Sequence, residues 1–144
     1  MGQQQLLLIV LGVIIVGIAI AVGISMFKSN AQSSNRDQVI NDLNNLAAKA
    51  QQYYRKPTAM GGGGQDFNGF KLMPIDSANA NGQYGVTTNA PTTVPPSGLS
   101  STVSTSAQTI YIVGVGTETG NDQKNKVQAY VKVTPDSVIA TTQN

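Results

Sequence analysis

Two hydrophobic patterns follow one another along the chain, and the first has no polar face at all. From Leu6 to Phe27 the sequence LLLIVLGVIIVGIAIAVGISMF carries no charge. As a helix rising 1.5 Å per residue, those 22 residues extend about 33 Å, one bilayer crossing. Gly12, Gly17 and Gly23 interrupt the run. In water each costs roughly 1 kcal/mol relative to alanine, but in lipid the helix persists because unpaired backbone groups are costlier still. Outside the bilayer these glycines are where the helix is expected to stretch or melt.

The second pattern begins after KSNAQSSNRD, with Asn35 or Asp37 as cap or first-turn acid. Val39, Leu43, Leu46, Ala50 and Tyr53 recur at steps of four and three, and Ile40, Ala47 and Tyr54 widen the stripe. This spacing predicts one apolar face on an amphipathic helix. Arg55 and Lys56 suit its C-terminal dipole, and Pro57 stops it. No Pro or Gly lies between Ile24 and Tyr54, so the two patterns predict a single helix from about residue 2 to residue 55. Its second half is expected to pack on a head through Val39, Leu43, Leu46, Ala50 and Tyr53.

Beyond Pro57 the period shifts to two. FNGFKLMPI, GQYGVTT, QTIYIVGVGTE and KVQAYVKVTP read as short β segments separated by Asn, Gly, Asp and Pro. Thr109–Val115 and Val127–Val133, joined by ETGNDQKNK, predict an antiparallel hairpin, and Ser137–Ala140 a final short strand. Gly61–Gly64 read as a flexible connector, since no strand, P-loop lysine or following helix accompanies them. Pro91, Pro95 and Pro96 lie in a Ser/Thr-rich stretch, Thr87–Thr109, expected as a solvated surface loop, with O-linked sugars as a second reading. The expected fold class is α+β: a long N-terminal α-helix, hydrophobic half plus amphipathic half, packed on a small antiparallel β-sheet head. The boundaries are 1–28 for the hydrophobic helix, 29–56 for its amphipathic continuation and 57–144 for the head.

Composition narrows the function classes. With no Cys and no His, the chain lacks disulfides, thiol nucleophiles, the usual general base and the commonest metal ligands. Asp66, Asp76, Glu118 and Asp122 lack the tight spacing of a calcium loop. An enzyme is therefore not expected, nor a metal or cofactor. A net charge of +2 is too small and too dispersed to predict a nucleic-acid partner. Charged residues make up 11% of the chain, against about 25% in ordinary soluble domains, which suits a surface that packs against many copies of itself.

A cleaved secretory signal ending near Ser29, Asn30 and Ala31 is the first alternative to a retained helix. The apolar run is too long for one, no basic residue precedes it, and periodicity resumes directly after it. Lys28 and Arg36 follow the span with nothing basic before it, which taken literally places the head in the cytoplasm. A head rich in Ser, Thr and Gly looks extracellular instead. Removal of a short basic leader from the N-terminus reconciles the two.

This layout resembles that of type IV pilins and pseudopilins, over nearly the whole chain in architecture. In motif the resemblance rests on residues 1–56, where QLLLIVLGVIIVGIAIAVGI is followed by NDLNNLAAKAQQYY, and LAAKAQQYYRKP is especially similar to the end of such helices. It implies a structural subunit of a type IV pilus-like extracellular filament that polymerises through its N-terminal helix. It also implies a peptidase that leaves a methylated hydrophobic first residue and a glutamate fifth. With Met1 first, Gln5 stands in the glutamate's place; with the cut after Gly2, Gln3 is first and Leu7 fifth. The first register keeps a hydrophobic start and a polar fifth residue. The family's glutamate is thought to pair with a neighbour's N-terminal ammonium, for which Gln5 is a weaker acceptor. The family's helix-breaking proline is missing, and Gly12, Gly17 and Gly23 would take over its role.

The resemblance thus assigns subunit assembly to Gln5, Leu6, Leu7, Ile9, Val10, Val13, Ile14 and Ile18, and N-terminal processing to Met1. The implied partners are copies of the chain in a helical homopolymer, the inner membrane before assembly and the pilus assembly machinery. The implied location is the membrane first and the cell surface afterwards. A minor pseudopilin of a secretion or DNA-uptake apparatus and a single-pass membrane-anchored binding module stay open as alternatives. So does the choice among adhesion, motility, DNA uptake and secretion.

Overall fold

The computed structural model describes residues 2–92 and 99–144; Met1, and Pro95 and Pro96 of the proline-bearing stretch, lie outside the described residues. The two hydrophobic patterns merge into one helix, α1 (Gln3–Arg55, 53 residues), which passes Gly12, Gly17 and Gly23 without a break. Its last carbonyls are closed by the glycine run. Gly63 N–H donates to the Tyr53 carbonyl at 2.8 Å, Gly64 N–H to Lys56 at 3.0 Å and Gln65 N–H to Tyr54 at 2.8 Å. These bonds satisfy acceptors that a helix end otherwise leaves unpaired. A Cβ on Gly63 would collide with the Asp66 carbonyl and lie 2.9 Å from the Tyr53 ring. Of the glycines expected as a flexible connector, Gly62, Gly63 and Gly64 instead form a close-packed helix cap, while Gly61 faces open space.

The head is a four-stranded antiparallel sheet in the order β1 (Gly82–Thr87), β2 (Ile110–Thr119), β3 (Lys126–Val133) and β4 (Val138–Thr142). The expected hairpin is β2–β3, with Ile112 opposite Val131 and an irregularity between Val115 and Thr119 through which β2 runs on beyond the predicted segment. The expected last strand is β4. FNGFKLMPI, read as a strand, is not one: it makes a single bridge, Lys71 to Thr102, and then enters a one-turn helix, α2 (Pro74–Ser77). Its backbone instead docks irregularly on the described end of the Ser/Thr-rich stretch, with Gly69 N–H to Val103 O and Leu72 N–H to Ser101 O, both 2.8 Å. The described end of that stretch is in turn not wholly solvated. Ser100 exchanges both backbone bonds with Val86 on β1, at 2.7 and 3.1 Å, and Val103 is buried.

Alternation along the strands sends Val127, Ala129, Val131 and Val133 of β3, with Ile110 and Ile112 of β2, to the face that α1 covers. Val39, Leu43, Leu46, Ala47 and Ala50 meet them, all buried. Tyr53 is half-buried, its ring 5.6 Å from that of Phe70 and its hydroxyl donating to Asn68 O at 2.9 Å. The helix crosses β2 where the strand has glycine: a Cβ on Gly114 would come 2.7 Å from Val39 Cγ1, and one on Gly116 would strike Asn35 Oδ1. Phe67, Phe70 and Leu72 seal the end of the core nearest the glycine cap. Each large aliphatic or aromatic side chain so buried contributes about 1.5–3 kcal/mol.

Candidate functional site

Among the described residues, nothing covers the N-terminal half of α1 until Ala21 and Ile24, where the β2–β3 turn approaches it. Sixteen large apolar side chains between Leu6 and Phe27 are exposed, the least of them, Leu11, by 49% and the most, Phe27, by 76%. Leu6, Leu7, Ile9, Val10, Val13, Ile14 and Ile18, the expected assembly residues, are all among them, and Gln5 is exposed beside them. Successive residues of an α-helix are 100° apart, so a run with no polar member is apolar all round. Around Gly12, Gly17 and Gly23 there is open space, enough for another helix to approach the backbone closely. Such a surface has no reactive chemistry. It can only be covered.

What aims this helix is its junction with the head, and the residue at the centre of that junction is Asn35. It is buried, on the inner stripe of α1, one helical turn before Val39. Its Oδ1 accepts from Thr117 N–H at 3.2 Å and Glu118 N–H at 3.3 Å, and its Nδ2 donates to Asn81 O at 2.9 Å and Thr117 Oγ1 at 3.3 Å. One amide therefore ties the helix to the far end of β2 and to the approach to β1. The sequence offers it, beside Asp37, as a helix cap. Its four-residue spacing from Val39 was the signal for a buried role, since it continues the stripe with a polar member. Asn35→Ala strands a buried carbonyl and two N–H groups, so it is expected to cost about 1–3 kcal/mol. Thermal unfolding of the full chain in detergent micelles would register that loss, and an unchanged transition would contradict it.

Three carboxylates brace the loops around the sheet. Asp42 on α1 accepts at Oδ2 from Tyr84 Oη at 2.7 Å and from the amides of Asn79 and Asn81, each at 2.9 Å. Burial alone would raise its pKa, but the bonds from Asn81, Tyr84 and Asn79 together hold it below the ordinary carboxylate value. Asp66 is held low by the Ser106 hydroxyl and then by the N–H groups of Ala107 and Asn68, both 2.9 Å away. Asp122, in the β2–β3 turn, is held low by the N–H groups of Asn125 and Lys124, with the Asn125 and Asn144 amides adding to them. Burial, and then the Asp42 carboxylate, push the Tyr84 phenol up.

A carboxylate depressed on folding stabilises the head above its unfolded value, near pH 4, and that contribution is lost as pH falls through the folded value. A raised phenol acts on the other side: its contribution is present below about pH 10 and is lost as pH rises further. The thermal stability of the head is thus expected to be level between these limits and to fall beyond each. Asp42→Asn should flatten the acid limb. A head that gains stability on acidification below pH 4 would contradict this.

No family model, curated protein or solved structure matches the chain. The geometry is a long N-terminal helix packed on a small antiparallel sheet, an arrangement compatible with a pilin-like fold. By length and composition, α1 is a helix that can cross a membrane.

Proposed function

We propose that the chain is a structural subunit of a type IV pilus-like filament, held in a membrane by the first half of α1 and polymerised through the same surface. The observation that carries this reading is the contrast within one helix. Its second half is sunk into the head while its first half exposes sixteen large apolar side chains on every side. At about 1.5–3 kcal/mol for each such side chain, leaving them in water outweighs the roughly 5–15 kcal/mol that holds a domain folded. Lipid covers such a helix all round, and so does a bundle of like helices. A helix that serves both can pass from one to the other without meeting water.

The contact between copies is head-to-tail in this reading, because the exposed apolar half of one helix extends past its own head to meet a neighbour. A heterologous contact that does not close on itself generates a fibre. In the core of that fibre Ile and Val make the side-chain contact, the glycines permit close approach, and Gln5 accepts from a neighbour's N-terminal ammonium.

The chain contains no Cys, which makes the test direct. Ile9→Cys and Ile14→Cys together place thiols about 140° apart on the helix surface. In a bundle with axes 8–10 Å apart, both lie within reach of neighbours. Treating cells with a flexible bis-maleimide is expected to yield a ladder of covalent multimers well beyond the dimer. A chain anchored singly, as a binding module would be, gives monomers and dimers alone.

A further inference from the structure

The turn between β2 and β3 does not stand clear of the helix. It folds back along α1 and encloses with it a cleft of about 760 Å³, within the roughly 300–1,000 Å³ usual for small-molecule sites. The floor is apolar and belongs to the membrane-spanning run, at Ala21 and Ile24. The walls are polar, and two of their residues are charged with opposite sign: Lys28 on the helix and Glu118 on the hairpin. Both are exposed, and among the described residues no ion pair joins them.

The cleft is built rather than incidental. Asn35 Oδ1 accepts from Glu118 N–H at 3.3 Å, fixing the strand that carries the carboxylate. Gln32 Nε2 donates to Asn121 Oδ1 at 3.1 Å, pinning the turn to the helix above the cleft. Depth along the helix then decides what lies beside it. From Leu6 to Ile20, clear of the cleft, the helix rises only about 22 Å, short of the roughly 30 Å of a hydrocarbon core. A bilayer that covers the whole apolar run must therefore reach the cleft, and Lys28 and Glu118 stand at the depth of the lipid headgroups.

We propose that this cleft holds the headgroup of a zwitterionic phospholipid carrying a primary ammonium, with the phosphate on Lys28, the ammonium on Glu118 and the acyl chains running down the apolar face below Ala21. The proposal rests on the membrane-inserted reading of α1. It assigns to the hairpin a function the filament reading leaves unused: it sets the depth and rotation of the subunit in the bilayer before assembly. Charge complementarity selects the occupant. A phospholipid with an anionic headgroup satisfies Lys28 and is repelled by Glu118, whereas a choline headgroup satisfies the charge of Glu118 but donates no hydrogen bond to it.

The full chain, first floated with vesicles and then studied by native mass spectrometry in detergent with phosphatidylethanolamine, phosphatidylcholine or phosphatidylglycerol, tests the site. Phosphatidylethanolamine is expected to be retained about fivefold better than either of the others, the worth of roughly one interfacial charge contact. Lys28→Gln should lower its retention about fivefold. Glu118→Gln should abolish the preference for it while leaving phosphatidylglycerol bound at least as well. Both side chains are exposed and off the core, so unfolding transitions unchanged from those of the natural chain are expected as the control. Flotation followed by equal retention of all three lipids, indifferent to both substitutions, overturns the headgroup site and leaves the membrane reading standing. A chain that does not float with vesicles overturns both.

Discussion

A chain carrying Ile14→Lys is expected to fold its head normally and to form no fibres. Ile14 lies near the middle of the uncharged run, and nothing between Leu6 and Phe27 offers a counter-charge. A lysine at the centre of a spanning helix costs roughly 2.5–3.5 kcal/mol on insertion, which alone lowers the insertion equilibrium constant on the order of 100-fold. Within a polymer the penalty recurs in every copy, and neighbouring ammonium groups repel one another. The head begins more than a dozen residues further along α1, where Asn35 and Val39 engage the sheet, so its protease resistance should match that of the natural chain. Ile14→Leu, which keeps volume and polarity, should assemble as usual. Immunoblots of material sheared from cells, beside limited proteolysis of the whole-cell fraction, separate the two effects. Fibres from the lysine variant at normal yield would remove the apolar helix from the assembly contact.

Leu43→Ala should do the reverse. Leu43 is fully buried between α1 and the sheet, in the same cluster as Val131 and Ile112. Cutting it back to alanine costs about 2–5 kcal/mol, a large share of what so small a head can hold. The apolar run from Leu6 to Phe27 is untouched, so on the proposed membrane reading the chain should still fractionate with membranes while its head becomes a protease substrate. Leu43→Met, which keeps most of the volume, is expected to cost less than about 1.5 kcal/mol. The pair of variants, Ile14→Lys and Leu43→Ala, thereby divides α1 into two halves with separate consequences. A Leu43→Ala head as protease-resistant as the natural one would mean that the stripe does not anchor it.

The sequence made α1 readable because a helix shows its partners through its period. Val39, Leu43, Leu46 and Ala50 repeat at the spacing of one face, and Leu6–Phe27 has no polar face to hide. The β2–β3 hairpin was legible for a similar reason, since alternating Val, Ile and Tyr fit a half-buried strand and a polar run separates them. FNGFKLMPI has the composition of a strand yet forms none, because Phe67, Phe70 and Leu72, which keep no strict period of two, enter the core singly from a backbone whose donors go to an irregular partner. Periodicity reports which side chains face inward, and strand pairing depends also on a neighbour that local sequence does not reveal. Composition failed most at Gly61–Gly64 and Asn35. Glycine is the residue of free linkers and also the residue that fits where backbones nearly touch, and only the packing around Tyr53 and Asp66 separates the two. Asn35 looks like a cap because Asn caps helices, and its true partners are 46 and 82 residues away along the chain.

Electron microscopy of material sheared from the cell surface, labelled with an antibody raised against the head, tests the polymer reading most directly. Thin fibres decorated along their whole length, and absent when Ile14 is replaced by Lys, are the predicted result. Label confined to membrane fragments, with no fibre in material from cells that make the chain, would contradict it.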